Sequence, residues 1–254
     1  MRDRRRRYPP NVESNSDAAL PDSDLDAVKR AQTWAKDFVA PRAETWETER
    51  RFAREAFDSA GQNRLTGLLV PSNDGGEDIS VIGLARVLEE IAAADFSIAF
   101  SLVCHNNLAG AVGRKPNGPL RDSVLPGLVE GSLVGAFLLT EPEVGSDAAA
   151  IAVAATNDGD EWLLNGEKAW VTNGTDADVL SVYAQTDSSL GHRGIATFLI
   201  DANTPGVTKT PGYELLGGHG LGANSIRFDN CRVSAESIFQ PVGQGFRAAM
   251  EGID

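Results

Sequence analysis

Leu133-Val134-Gly135-Ala136-Phe137-Leu138-Leu139-Thr140-Glu141-Pro142-Glu143-Val144-Gly145-Ser146-Asp147 marks a change of texture in this chain. An apolar run of strand length ends in a loop governed by proline and glycine. From here onward short apolar, β-rich runs alternate with Gly, Asn and Asp, over 151–155, 162–164, 179–184, 195–200, 207–210 and 225–233. That pattern predicts a domain that is mainly antiparallel sheet.

Upstream the period is helical. Ser23, answered by Asp26, predicts a helix start, and Leu25, Val28, Ala31, Ala35, Phe38 and Val39 form one stripe over 24–40 before Pro41. A second, more charged helix is expected over 42–60, with Trp46, Phe52, Ala56 and Phe57 as a less regular apolar set. Ser80 suits the cap of a third, in which Val81, Leu84, Ala85, Leu88 and Ile91 keep helical spacing. Helices over 96–112 and 120–129 complete a bundle of five. The fold class expected is therefore α+β. It comprises a flexible basic tail over 1–22, a helical domain over 23–131, a middle antiparallel β domain over 132–242, and the start of another helix over 243–254.

Composition narrows the function. With 254 residues and a net charge of −13, the chain disfavours long-range attraction to nucleic acid or to an anionic membrane surface. Fourteen acidic and five basic residues fall between positions 135 and 240, so an anionic ligand there must overcome a negative background. No stretch reaches 18 apolar residues, and no stable membrane insertion is expected. Two cysteines, Cys104 and Cys231, form no disulfide framework, which makes a reducing, cytoplasmic setting the default. His105, His192 and His219 accompany no ligand spacing for zinc. Neither GxGxxG nor GxxxxGK[ST] occurs.

Two segments carry candidate chemistry. In the 137–147 stretch, the Thr140 and Ser146 hydroxyls and turn N–H groups suit a polar, planar ligand or its phosphates; the competing reading is a strand exit capped by Ser146 and Asp147. In Trp162-Leu163-Leu164-Asn165-Gly166-Glu167-Lys168-Ala169-Trp170-Val171-Thr172-Asn173-Gly174, two Asn-Gly turns are expected to bracket a strand. Trp170 and Thr172, two apart, would then share a face, one for stacking and one for hydrogen bonding; the competing reading is a tryptophan buried against the sheet.

Together these segments resemble the acyl-CoA dehydrogenase family of flavoproteins. Thr140, Glu141, Pro142, Gly145, Ser146 and Asp147 match a T-E-P-x-x-G-S-D loop, and Asn165, Gly166, Lys168, Trp170, Thr172 and Asn173 match N-G-x-K-x-W-I-T-N, with Val171 in place of isoleucine. Pro205-Gly206, the run from Phe228 to Val233 and Gly243-Gln244-Gly245-Phe246 follow in the family's order. The resemblance implies an N-terminal helical domain, a middle sheet domain and a C-terminal helical domain of which 243–254 holds only the start, with FAD in the cleft among them. It assigns Phe137, Leu138, Leu139, Thr140, Gly145 and Ser146 to the flavin pyrimidine side and pyrophosphate. Trp170, Val171 and Thr172 fall to the isoalloxazine, with Thr172 near N5. Ser146 also falls to the acyl-CoA substrate.

The implied reaction is α,β-dehydrogenation of an acyl-CoA thioester to trans-2-enoyl-CoA. Electron-transfer flavoprotein is the implied partner and a homo-oligomer the implied assembly; an acyl-CoA oxidase, a related flavin monooxygenase or a non-catalytic binding fragment are the alternatives. No residue here is assigned the catalytic base, Glu251 included. Glu143, where relatives carry a small residue, is expected to face solvent. His105 is expected to be structural, Cys104 a small core residue, and the 216–220 loop either a neighbour of the CoA channel or a plain mobile turn.

Overall fold

The computed structural model describes residues 20–252. The expected tail lies outside the described residues except at its end, where helix α1 (Asp22–Trp34) already begins, one residue after Pro21. Ser23 is therefore inside the first turn and caps nothing. The acid that works is Asp24, buried against the next helical layer: its carboxylate accepts the Ser80 hydroxyl at 2.5 Å and the Ser80 N–H at 3.3 Å. Ser80 does cap α4 (Val81–Ala92), its Oγ accepting the Gly83 N–H at 3.0 Å. One serine thus satisfies one of the orphan donors of α4 and ties that helix to α1.

Two further departures from the sequence reading have local causes. The chain over 35–39 widens into a π-helical turn before Pro41, closed by the Ala40 N–H on the Ala35 carbonyl at 2.8 Å. The single helix expected over 42–60 is two, α2 (Ala43–Glu49) and α3 (Arg54–Gln62), because Arg50 turns left-handed at φ 52°. The break lets Phe52 swing inward to stack on Phe57 at 5.3 Å, while Arg51 bridges Glu49 and Glu55 across the gap. With α5 (Phe96–Gly113) and α6 (Pro119–Glu130), the described part of this domain has six α-helices, not five: α1 to α5 pack around Trp34, Trp46, Phe57, Leu68, Ile91 and Leu102, and α6 packs on α5 through Leu125, Leu128, Leu108 and Val112.

The second domain is one eight-stranded sheet: β1 (Gly135–Leu138), β2 (Ala154–Asp158), β3 (Glu161–Val171), β4 (Val179–Gln185), β5 (Ile195–Asp201), β6 (Val207–Lys209), β7 (Asn224–Ser234) and β8 (Ile238–Gln240). Its order is β6-β7-β3-β2-β4-β5-β8, with β1 added to β4. Most pairings are antiparallel, but β1 runs parallel to β4, and β2 meets β4 in a single parallel pair. The chain therefore leaves β1, builds the β2–β3 hairpin, and only then returns as β4 to pair with β1.

Asn165-Gly166 does not turn the chain. Gly166 remains inside β3 at φ 131°, where an added Cβ would stand 2.9 Å from a Val153 methyl, and the strand runs on for 11 residues. Asn173-Gly174 does turn, with Asn173 at φ 67° and the Gly174 N–H on the Val171 carbonyl.

The two domains meet through polar contacts, buried at Asn173 and half-buried at the Arg54–Asp178 pair. Asn173 donates its amide to the Ser101 and Gly135 carbonyls at 3.1 and 3.0 Å. Arg54 pairs with Asp178 at 2.9 Å, and Asp178 in turn accepts the Val134 N–H. The last described element, α7 (Gly245–Glu251), packs against β5 and places Phe246 by His192.

Candidate functional site

A buried ion pair organises the two candidate segments. Lys168, 0% exposed on β3, donates from Nζ to Glu141 Oε1 at 2.8 Å and to the Leu139 carbonyl at 2.9 Å. Glu141, 6% exposed, also accepts the Ala152 and Val153 N–H groups at 2.7 and 2.9 Å. The Ala169 N–H donates to the Thr140 carbonyl. Both ends of the 140–151 loop are therefore fastened to β3 immediately before Trp170. Burial pushes the Lys168 ammonium down to about 8, the neighbouring carboxylate opposing that shift. Sequence reasoning matched Glu141 and Lys168 only as letters of two motifs; their 27-residue separation hides the pair that joins those motifs.

The loop itself offers unspent polar groups. Among the described residues, the Thr140 and Ser146 hydroxyls engage no other group of the chain, which removes the reading of Ser146 as a cap. Gly145 is exposed, and a Cβ there would meet nothing within 4 Å. No internal packing requires glycine at that position, in contrast to Gly166, so its smallness is free to serve an incoming ligand. Glu143 is exposed, as expected.

The aromatic side differs from the sequence reading. Trp170 is 61% exposed, so it is not a buried sheet residue. Its backbone is left-handed at φ 56°, so simple alternation with Thr172 does not apply. Thr172 lies one residue beyond β3, half-buried, with its hydroxyl beside the Cys104 thiol of α5. Cys104 is itself only half-buried, and burial of the thiol pushes it up to about 11, far from a reactive thiolate. Leu138 and Val171 turn their side chains into the sheet core, so what either can offer a ligand is its main chain. Leu139 packs with Tyr183 and Ile195, and Phe137 is half-buried with its ring 4.8 Å from Tyr183.

Other expected positions resolve simply. His105 is fully buried and satisfied: Nε2 lies 2.9 Å from the Leu128 carbonyl and Nδ1 accepts the Gly135 N–H, joining α5 to α6 and β1. The 216–220 loop is anchored by His219, whose Nδ1 meets Glu47 at 2.8 Å, while Leu216 projects into solvent. No group of His, Cys, Asp and Glu suited to a metal occurs among the described residues. A cavity of about 430 Å³ between the α5–α6 connection and β8 is lined by Lys115, Arg121, Leu199 and Phe239 and by none of the candidate residues.

The helical domain matches the N-terminal domain of acyl-CoA dehydrogenases over 22–132, and the sheet matches their middle domain over 136–231. The chain belongs to the acyl-CoA dehydrogenase family. It is 31% identical over 244 residues to the mitochondrial isobutyryl-CoA dehydrogenase of Dictyostelium discoideum, covering 96% of this chain and 59% of that one. The solved butyryl-CoA dehydrogenase of Megasphaera elsdenii superposes with a TM-score of 0.87 at 30% identity, over 92% of this chain and 62% of that one. A Mycobacterium smegmatis glutaryl-CoA dehydrogenase, solved in complex with FADH2, gives 0.85 at 26% identity over 94% and 60%. The chain thus spans about three-fifths of the length of these relatives. No helix among its described residues is long and apolar enough to cross a membrane.

Proposed function

We propose that the protein, in its complete form, is an FAD-dependent dehydrogenase that converts a saturated acyl-CoA thioester to trans-2-enoyl-CoA. The observation that carries this reading is the single locked unit formed by Lys168 and Glu141. It brings together two uncommitted hydroxyls, a glycine with open space above it and an exposed tryptophan. A flavin offers matching chemistry, an anionic pyrophosphate beside polar heteroatoms and an aromatic ring system. The glutaryl-CoA dehydrogenase solved in complex with FADH2 supports a flavin here, and the isobutyryl-CoA dehydrogenase supports an acyl-CoA substrate.

Thr140, Ser146 and the loop N–H groups around Gly145 would hold FAD, and Trp170 would flank its ring. Bound there, the flavin supplies the acceptor for the β-hydride. Thr172, held against Cys104, would offer its hydroxyl to the flavin ring, and Ser146 would be shared with the thioester side. The locked loop fixes these donors before substrate arrives, so little reorganisation is needed at the moment of transfer. Reoxidation by electron-transfer flavoprotein, homo-oligomerisation and a cytoplasmic setting belong to the same proposal.

The test is anaerobic mixing of the complete gene product, loaded with FAD, with straight and branched saturated acyl-CoAs. Bleaching of the oxidised flavin band with matching formation of enoyl-CoA is the expected result. A flavin that stays oxidised with every thioester would refute the dehydrogenase reading.

A further inference from the structure

Trp170 sits in a β-bulge. On β3, Lys168 pairs with Ile226 and Val171 with Asn224, so Ala169 and Trp170 together oppose the single residue Ser225 of β7. A bulge of this kind leaves N–H groups without ladder partners, and a bulky residue at φ 56° is strained unless its surroundings hold it. The Ala169 N–H is taken by the Thr140 carbonyl at 2.9 Å. The Trp170 N–H is taken by the hydroxyl of Tyr213, at 3.4 Å.

Tyr213 does more than fill that vacancy. Its hydroxyl is also 2.7 Å from Ser225 Oγ, the side chain opposite the bulge. Its ring lies 4.6 Å from the Trp170 ring at an interplanar angle of 53°. Tyr213 is itself fixed, since its N–H donates to the Ala223 carbonyl and the base of its loop is clamped by mutual bonds between Thr210 and Ser225. Backbone N–H, opposing hydroxyl and indole ring therefore all converge on one phenol.

We propose that Tyr213 is a positioning residue for the flavin site: it stabilises the bulge at Trp170 and fixes the exposed indole in the orientation that receives the isoalloxazine. The inference rests on the FAD reading for its ligand, but its first half concerns this chain alone. Tyr213 acts through Trp170, the residue to which its hydroxyl and its ring are both directed. Removing the hydroxyl frees the Trp170 N–H while the aromatic contact survives; removing the whole ring frees both.

The experiment compares wild type, Tyr213→Phe, Tyr213→Ala, Trp170→Phe and the double variant Tyr213→Phe/Trp170→Phe, with thermal melting as the control for folding. In the cofactor-free protein, acrylamide quenching and near-ultraviolet circular dichroism report the indole. Trp34 and Trp46 are buried and Trp162 half-buried, so the emission lost in Trp170→Phe isolates the residue of interest. Loss of the Trp170–Tyr213 dichroism and faster quenching are expected, modest in Tyr213→Phe and larger in Tyr213→Ala. FAD titration should show affinity weakened roughly 3- to 10-fold by Tyr213→Phe, with a clearly smaller loss when that change is added to Trp170→Phe, where only the main-chain bond at position 170 is left to lose.

Unchanged quenching and dichroism in both Tyr213 variants would overturn the proposal. So would a loss of FAD affinity that persists undiminished in the Trp170→Phe background. Absence of FAD binding by wild type would refute the cofactor reading instead, and the quenching comparison would still decide whether Tyr213 holds the indole.

Discussion

At the scale of the residue, Lys168 and Glu141 are the groups on which the site's geometry depends. Neither is exposed, so truncating one leaves the other's charge buried without its partner. Lys168→Met should cost about 3–5 kcal/mol in denaturant unfolding. Adding Glu141→Gln should recover part of that loss, because a neutral amide tolerates burial beside methionine. His105 gives a second residue-scale expectation. Burial lowers its pKa from 6.5 to about 4 in the folded chain, so between those values the unfolded chain binds a proton that the folded chain does not. Its contribution is therefore complete above pH 6.5 and is lost as pH falls toward 4, by up to about 3 kcal/mol. His105→Gln, which retains a donor for Leu128 and an acceptor for Gly135, should flatten that part of the stability profile measured by urea unfolding from pH 7 to pH 4.

At the scale of the element, two glycines of the matched motifs should behave oppositely. Gly166→Ala forces a side chain into φ 131° against Val153 and should destabilise by about 1–3 kcal/mol. Gly145→Ala meets only open space and should leave the melting temperature nearly unchanged, while weakening FAD binding measured by titration. The same contrast marks what the sequence could show. Ser80 as a cap and the apolar stripe that follows it are local signals, and they translate directly into α4. The left-handed Arg50 is legible only as irregular spacing of Trp46, Phe52 and Phe57, because the force that breaks the helix is the packing of Phe52 on a residue of the next one. Asn165-Gly166 has the letters of a hairpin turn, yet β7 pairs along the strand on both sides of it and keeps it extended. Tyr213 carried no local signal at all, since its partner lies 43 residues earlier.

At the scale of the whole molecule, the helical layer and the sheet are joined by buried side chains that also border the candidate site: His105 and Asn173 tie α5 to β1, and Cys104 meets Thr172 one residue before Asn173. The domain junction and the proposed flavin site thus share one wall, and the T-E-P loop is closed onto it by Lys168. This arrangement brings the two motifs that mark the family into one place: segments separated by strand β2 and its turn are joined by one ion pair and one bulge. The central claim is that this wall binds FAD through the loop around Gly145. Its most direct measurement is calorimetric titration of FAD into the complete gene product and into its Gly145→Val variant, with melting temperatures recorded alongside. One FAD bound per wild-type chain, and binding weakened by at least tenfold in a variant that melts like wild type, is the predicted result; equal affinity in the two proteins, or no binding to the wild type, would contradict it.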